Sequence, residues 1–384
     1  MANLTDTQAA DDVEYGSDDS DVIDLYELQL ECGAEFAATA DMKVAMVKHY
    51  ASGVEAEYHQ AKHAAALFDN WGQMLCRIAG KGATSALDKI MANKVSAMKI
   101  GSCAANLMLN NNGGVLDKFL IYYMDKDDYL LLGSDLTDFE AKKHLQSLLP
   151  VTAKFADFSE DLAKFDLVGP KSAEVLQQLG VAAKELPELN RWNLIEIDDV
   201  RFVIARLNVG GQLAYKLFFD RVFDGDFFAM LLDEEIVTPA GFNVWRLLEL
   251  EQGNTQKNCE LRNEWSGAES GVINLSALEK DTRAFIGRRN LGGATHQIVG
   301  LTASAEQNFE LSPGRKLYTA AGELCGEITS SGYSYDLKRV IALARVEKSS
   351  AAAGNKLKIN FSEDDIELTV TELPFISADS VNKK

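Results

Sequence analysis

Between Met108 and Met124 the chain reads Met-Leu-Asn-Asn-Asn-Gly-Gly-Val-Leu-Asp-Lys-Phe-Leu-Ile-Tyr-Tyr-Met, and no other segment constrains the fold as much. Three asparagines and two glycines in a row make a turn, because glycine lets the backbone bend tightly or approach another group closely. The run Phe119 to Met124 is apolar, aromatic and β-branched, as a buried strand requires. Four polar residues, Asp125-Lys126-Asp127-Asp128, separate it from a second apolar run, Tyr129 to Leu132. The two runs read as an antiparallel pair. Asp117 stands where the turn becomes the strand, held by a rigid element and facing whatever lies over the turn. Two readings of it follow from the residues alone: a reactive carboxylate beside a site, or an ordinary turn residue of a hairpin.

The rest of the chain falls into blocks. Residues 1–22 carry Asp11-Asp12, Glu14, Asp18-Asp19 and Asp21, and read as a disordered acidic tail. Residues 23–160 hold the strand pair and two helical patterns. Ala83 to Met91 has apolar residues at helical spacing, with Thr84 and Ser85 near its start. Phe139 to Leu149 has Ser134 or Asp135 as a capping residue and Pro150 as its stop. Residues 161–290 mix strands and helices in the same way, with strand Phe165 to Val168, helix Ser172 to Leu179, strands Phe202 to Arg206 and Tyr215 to Phe219, helix Asp224 to Leu232, and a helix through Trp245 to Gln252. This β-α-β-β-α order predicts antiparallel sheets with helices on one face, an α+β fold. Residues 296–376 differ. Short strands (Ile298 to Leu301, Lys316 to Tyr318, Ile341 to Val346, Leu357 to Asn360, Glu367 to Thr371) separated by turns predict a small β-barrel.

Composition narrows the class of partner. The formal net charge of −20 over 384 residues repels phosphate backbones and argues against nucleic acid. No apolar run reaches the ~18 residues of a membrane helix, so the reading includes no membrane partner. The N-terminus has neither a secretory nor a mitochondrial pattern. The five cysteines are scattered and odd in number, without Cys-x-x-Cys. They fit a reducing cytoplasm, with no metal site.

Motifs spaced along most of the chain resemble the aminomethyltransferase family, which contains the T-protein of the glycine cleavage system. Asn110 to Lys118 is similar to its Asn-x-x-Gly-Gly-(Val/Ile)-(Ile/Leu)-Asp-Asp. Leu25-Tyr26 through Cys32-Gly33-Ala34 resembles its opening Leu-Tyr…Cys-Gly-Ala, and Glu57-Tyr58-His59 with Leu67-Phe68-Asp69 its Glu-Tyr/His-His…Met-Phe-Asp. Val168-Gly169-Pro170-Lys171, Leu250-Glu251-Gln252-Gly253, Phe285-Ile286-Gly287-Arg288, Ile328-Thr329-Ser330-Ser331-Gly332 and Ile341 to Val346 continue the series in the family's order. The resemblance implies a three-domain cloverleaf, antiparallel sheets plus helices and a C-terminal small β-barrel, around a central hole that binds tetrahydrofolate. It implies transfer of a one-carbon unit from a small methyl or aminomethyl donor, or from the lipoyl arm of a carrier protein. It places Asp117 beside the reacting folate nitrogens, where a carboxylate stabilises developing positive charge or helps to move a proton.

The departures from the family pattern concentrate at folate-contacting positions. The family's Gly-Tyr-Thr-Gly-Glu-x-Gly-Tyr-Glu becomes Asn208 to Lys216, so the pterin-binding Glu is Gln212, followed by Tyr215. An amide accepts on one side only and donates on the other. In Arg-x-x-x-Arg-x-Glu-x-Gly, Trp245 and Glu249 replace the two arginines. Arg246 stands one position away, about 100° around the helix. Asp-x-Ser-His-Met becomes Asp69 to Gln73, with Trp71 inside it. The second Asp of the strand motif is Lys118, and Gly133 falls where the family carries an Asn. The resemblance therefore makes Asp117 the candidate catalytic residue. It makes Asn110, Val115, Gln212, Tyr215, Trp245, Arg246 and Trp71 the candidate cofactor contacts. Trp71 and Trp245 either stack on a ligand or fill the space that folate would take.

Three readings are open. One is a divergent folate-dependent enzyme acting on another methyl or aminomethyl donor. Another is a T-protein with an altered pocket. The third is a non-catalytic paralogue that binds a small molecule or a protein. The iron–sulfur-assembly branch of the superfamily is disfavoured, because no cysteine lies near Ala284 to Gly287. His59 and His63 at i,i+4 lack further ligands at zinc spacing. Cys259 has no histidine partner in sequence, and neither Gly-Gly pair is a phosphate loop.

Overall fold

The computed structural model describes residues 23–37, 46–134, 139–234, 236–303, 311–361 and 364–377. The acidic tail and Asp135 lie outside the described residues.

Two large sheets and a closed barrel organise the described residues, with a small two-stranded sheet of Glu35–Phe36 and Val47–His49 beside them. The first is antiparallel, in the order Cys103–Leu109, Val115–Asp125, Asp128–Leu132, Leu75–Ala79, Lys154–Asp157. The predicted strand pair forms its centre, with Leu120 opposite Leu132. Helix Ala83–Ile90 buries Ala83, Ala86, Leu87 and Ile90, the i, i+3, i+4, i+7 stripe of one helix face. Neither Thr84 nor Ser85 caps it by its side chain. Asp127, at the tip of the strand pair, accepts the Thr84 N–H at 3.1 Å. The predicted helix before Pro150 spans Phe139–Ser147.

The second sheet runs Arg191–Ile197, Val200–Val209, Gln212–Asp220, Leu162–Val168, Ala65–Asp69, Val237–Pro239. It is antiparallel except for its last pair. Helices Ser172–Gln178 and Asp224–Leu232 cover one face, packing Val175, Leu176, Phe227 and Phe228 against Phe165, Phe202, Leu217 and Phe219. The third unit is a closed barrel of six strands: His296–Ala303, Arg339–Glu347, Leu324–Ser334, Lys316–Tyr318, Lys356–Phe361 and Asp364–Thr371. The expected α+β cloverleaf with a C-terminal barrel is the observed fold. Among the described residues no helix is long and apolar enough to cross a membrane.

The three units share one core. Tyr122 and Leu132 from the first sheet, Val203 and Phe218 from the second, and Ile341 and Leu343 from the barrel meet around Val244 and Leu248 of helix Phe242–Glu251. Each large side chain removed from water there contributes about 1.5–3 kcal/mol, so the buried face of the helix is anchored by all three units. Glu251 ties the same junction together through polar contacts. It is fully buried and accepts from Tyr58 Oη at 2.8 Å, Ser334 Oγ at 2.6 Å and Lys62 Nζ at 3.2 Å.

Candidate active site

The Asn110 side chain builds the turn before Asp117. Its Oδ1 accepts the N–H groups of Asn112 and Gly114 at 2.9 and 3.0 Å, and its Nδ2 donates to Asn263 O at 2.8 Å. A side chain at Gly114 would collide with Asn263 O, 1.7 Å from the Cβ position. Gly287 of the Phe-Ile-Gly-Arg segment closes on the same turn, its Cβ position 2.6 Å from Asn110 O. Two motifs far apart in sequence thus pack on each other. Asn110 is a structural pin, and Val115 packs into an apolar cluster with Leu109, Leu261 and Phe285.

Asp117 is fully buried. Its Oδ1 accepts the Lys118 N–H at 2.8 Å and lies 3.8 Å from Lys257 Nζ. Its Oδ2 has no hydrogen-bond partner and points at Gly133, whose Cβ position is 3.0 Å away. Ser134 stands beside the carboxyl and favours its charged form, but its hydroxyl donates to Lys118 O. Burial pushes the carboxyl above the usual carboxylate range, against the pull of Lys257.

Strand geometry separates Asp117 from its neighbour, since successive side chains point to opposite faces. Asp117 shares a face with Phe119 and Ile121, which pack with Met74 and Met108 on the first sheet's own core. Lys118 shares a face with Leu120 and Tyr122, which belong to the central core. Its Nζ donates to Thr255 O at 3.0 Å. Burial pushes the Glu249 carboxyl up, and the Lys118 charge pulls it back. Two positions that reverse charge relative to the family pattern are therefore electrostatic partners here.

Gln212 begins its strand directly after a glycine turn. Gly210 and Gly211 have φ of +57° and +78°, and the turn presses on helix Phe242–Glu251. The Gly210 N–H donates to Glu249 Oε1 at 3.1 Å, and the Gly211 N–H to Asn208 Oδ1 at 2.8 Å. Gln212 is buried, and its Nε2 has no partner. Trp245 Nε1, on the same helix, is likewise buried without a partner.

The remaining candidates are dispersed. Tyr215 lies three positions from Gln212, on the opposite face, inside the helix-covered core. Trp71 is clasped by two cations, with Arg221 3.6 Å and Lys164 4.7 Å from its ring centre. Arg246 faces away from the Gln212 turn, next to Cys259.

Several charged residues escaped the sequence reading. Lys216 and Asp166, opposite each other in adjacent strands, form a buried ion pair at 2.7 Å. Asn70 donates to Asp166 Oδ2 at 2.6 Å, and Lys216 donates to Gln73 Oε1 at 3.2 Å. Lys164 donates to Ser159 O at 2.6 Å. Burial pulls its pKa down to about 7, against the opposing charge of Asp69. A lysine inside an apolar strand was the available signal for Lys164 and Lys216. Lys257 gave none, because only the fold brings it to Asp117.

Comparison with known proteins places this geometry. Residues 25–280 match the GCVT N-terminal domain, and residues 296–376 match the glycine cleavage T-protein C-terminal barrel domain. An aminomethyltransferase of Saccharopolyspora erythraea is 26% identical over 360 residues, covering 91% of this chain and 96% of that protein. One of Xanthomonas oryzae pv. oryzae is 28% identical over 342 residues, covering 85% and 89%. The crystal structure of the glycine cleavage system aminomethyltransferase T from Bartonella henselae superposes with a TM-score of 0.82 at 22% identity, over 92% of this chain and 97% of that one. With both domain signatures present in order, the chain belongs to the aminomethyltransferase family of the glycine cleavage T-protein.

Proposed function

We propose that this chain binds tetrahydrofolate where its three units meet and carries out a one-carbon transfer there, from a small methyl or aminomethyl donor or a lipoyl carrier protein. The observation that carries the reading is a set of unpaired buried polar atoms. Among the described residues Asp117 Oδ2, Gln212 Nε2 and Trp245 Nε1 all lack partners, and all three are positions that the family resemblance assigns to the site. Buried polar groups are nearly always satisfied, so two donors and one acceptor left open fit a heterocycle that accepts and donates on different edges. Tetrahydrofolate supplies the nitrogen nucleophile that takes up the one-carbon unit. Gln212 and Trp245 would hold its ring system by donating hydrogen bonds. Asp117, ionised and desolvated, would stabilise positive charge that develops at the reacting centre. The Lys257 ammonium, 3.8 Å from Asp117 Oδ1, favours the ionised form against burial, which still raises the carboxyl pKa.

A second reading rests on an observation of its own. Asp117 has no exposed surface and shares the apolar face of its sheet, while the neighbour facing the central core is Lys118. On that reading the chain is a non-catalytic paralogue that binds its ligand without turning it over. Comparing the wild type with Asp117→Asn separates the two. Loss of turnover by about 100-fold to 1,000-fold with unchanged folate affinity supports the catalytic role. Folate binding without turnover of any methyl or aminomethyl donor in the wild type supports the paralogue.

A further inference from the structure

A cavity lies on the far side of helix Phe242–Glu251 from the Gln212 turn. It measures about 340 Å³ and opens between this helix, the segment Asn254–Glu260 and the barrel strand Leu324–Ser334. Ligand sites for small molecules begin at about this size. Two features separate it from the candidate active site. Asn243, Arg246, Leu247 and Leu250 line it, one stripe at helical spacing, whereas Glu249 faces the Gln212 turn. In the connecting segment, Gln256, Cys259 and Glu260 line the cavity, whereas Lys257 reaches Asp117.

Among the described residues, the cavity contains two opposite charges without counter-ions. The Arg246 guanidinium meets, among the described residues, the neutral Cys259 thiol at 3.6 Å and the Phe242 ring 5.7 Å from its centre. Burial raises the Cys259 pKa and keeps the thiol neutral. No carboxylate among the described residues pairs with Arg246. Glu260 is 4% exposed. Its Oε1 accepts from Ser330 Oγ at 2.6 Å and its Oε2 from the Gln256 N–H at 3.0 Å. Both donors are neutral, and no cation among the described residues pairs with Glu260. Desolvated charges persist only when something compensates them. Tyr333, Tyr335, Leu247 and Pro313 supply apolar and aromatic wall.

We infer that this cavity is a binding site for a zwitterionic α-amino acid, its carboxylate held by Arg246 and its ammonium by Glu260. Arginine suits the first task because its planar fork meets both carboxylate oxygens. Ser330 and Ser331 complete the cavity lining.

The test titrates the full-length protein calorimetrically with each of the proteinogenic α-amino acids, and with the carboxylic acids that lack the amino group. At least one amino acid should bind with a Kd below about 1 mM, and its deaminated counterpart at least about tenfold more weakly. Arg246→Gln should weaken that binding by about tenfold to 100-fold. Glu260→Gln retains an acceptor for Ser330 and should erase the preference for the amino form. Arg246→Lys keeps the charge without the fork and should still bind at least about threefold more weakly, which covers the case where Arg246→Gln folds poorly. Absence of any amino acid binding below about 1 mM, or binding that Arg246→Gln and Arg246→Lys leave unchanged, overturns the assignment.

Discussion

Gly210→Ala isolates the turn that presents Gln212. The residue has φ of +57°, and a Cβ there would lie 2.2 Å from Leu248 Cβ and 2.7 Å from the Leu248 carbonyl carbon. Two costs add. A left-handed backbone for an L-residue costs about 1–2 kcal/mol, and forcing atoms into a packed junction costs about 1–3 kcal/mol more. The contact is helix backbone in the shared core, so relief requires the turn itself to move. The expected loss is about 2–5 kcal/mol. Gly314→Ala is the matched control: its φ is +84°, with nothing within 4 Å of the Cβ position, so only the backbone cost of about 1–2 kcal/mol applies. Urea unfolding followed by tryptophan fluorescence measures both, compared by midpoint at constant slope. The two variants should differ by about 1–3 kcal/mol, and Gly210→Ala should also weaken tetrahydrofolate binding. Equal losses would refute the packing argument and leave φ alone as the reason for glycine.

Further predictions concern single side chains. Gln212→Glu replaces the open Nε2 donor with an acceptor and should weaken tetrahydrofolate by about tenfold in calorimetry; an unchanged or tighter Kd would contradict the donor role. Glu251→Gln removes one of the two carboxylates that Lys62 faces, Asp336 remaining at 3.2 Å, and should cost about 1–3 kcal/mol in urea unfolding, with a loss below about 1 kcal/mol counting against the clasp. Lys164 is folded with a pKa of about 7, below its unfolded value of 10.5, so the folded state releases a proton that the unfolded state keeps. Wild-type stability should therefore gain up to about 1.4 kcal/mol per pH unit from this group as pH rises from 7 towards 10.5. The full cost of burying the charge is present below pH 7. Lys164→Met should lack that slope, and parallel pH profiles for the two proteins would contradict the reading.

Local chemistry made part of this fold legible. The apolar runs on either side of Asp125–Asp128 announce their strand pair, because aromatic and β-branched residues suit a pleated, buried surface. The stripe Ala83, Ala86, Leu87, Ile90 announces its helix. The cap of that helix was not legible, since Asp127 supplies it from a neighbouring turn. Strand Cys103–Leu109 was also missed. Its alanines and Asn106 carry little strand preference, and only its pairing with Val115–Asp125 makes it a strand. In the second sheet, Leu162–Val168 sits between Gln212–Asp220 and Ala65–Asp69, an order that spacing along the chain does not reveal. The Asp166–Lys216 pair depends on that order. For the site, motif resemblance marked Asp117 and Gln212 as candidates, and with them Asn110, Val115 and Tyr215. Packing gives those three structural work. The alternation that turns Lys118 and not Asp117 toward the central core follows from strand period alone. Only the fold, however, reveals which face is the central one.

The measurement that bears most directly on the proposed function is an anaerobic calorimetric titration of the full-length protein with tetrahydrofolate. Binding in the micromolar range, about 8 kcal/mol of affinity, with weakening in Gln212→Ala, is the predicted result. No heat of binding up to about 1 mM ligand would contradict it. The unpaired atoms of Asp117, Gln212 and Trp245 would then have to serve some ligand other than folate.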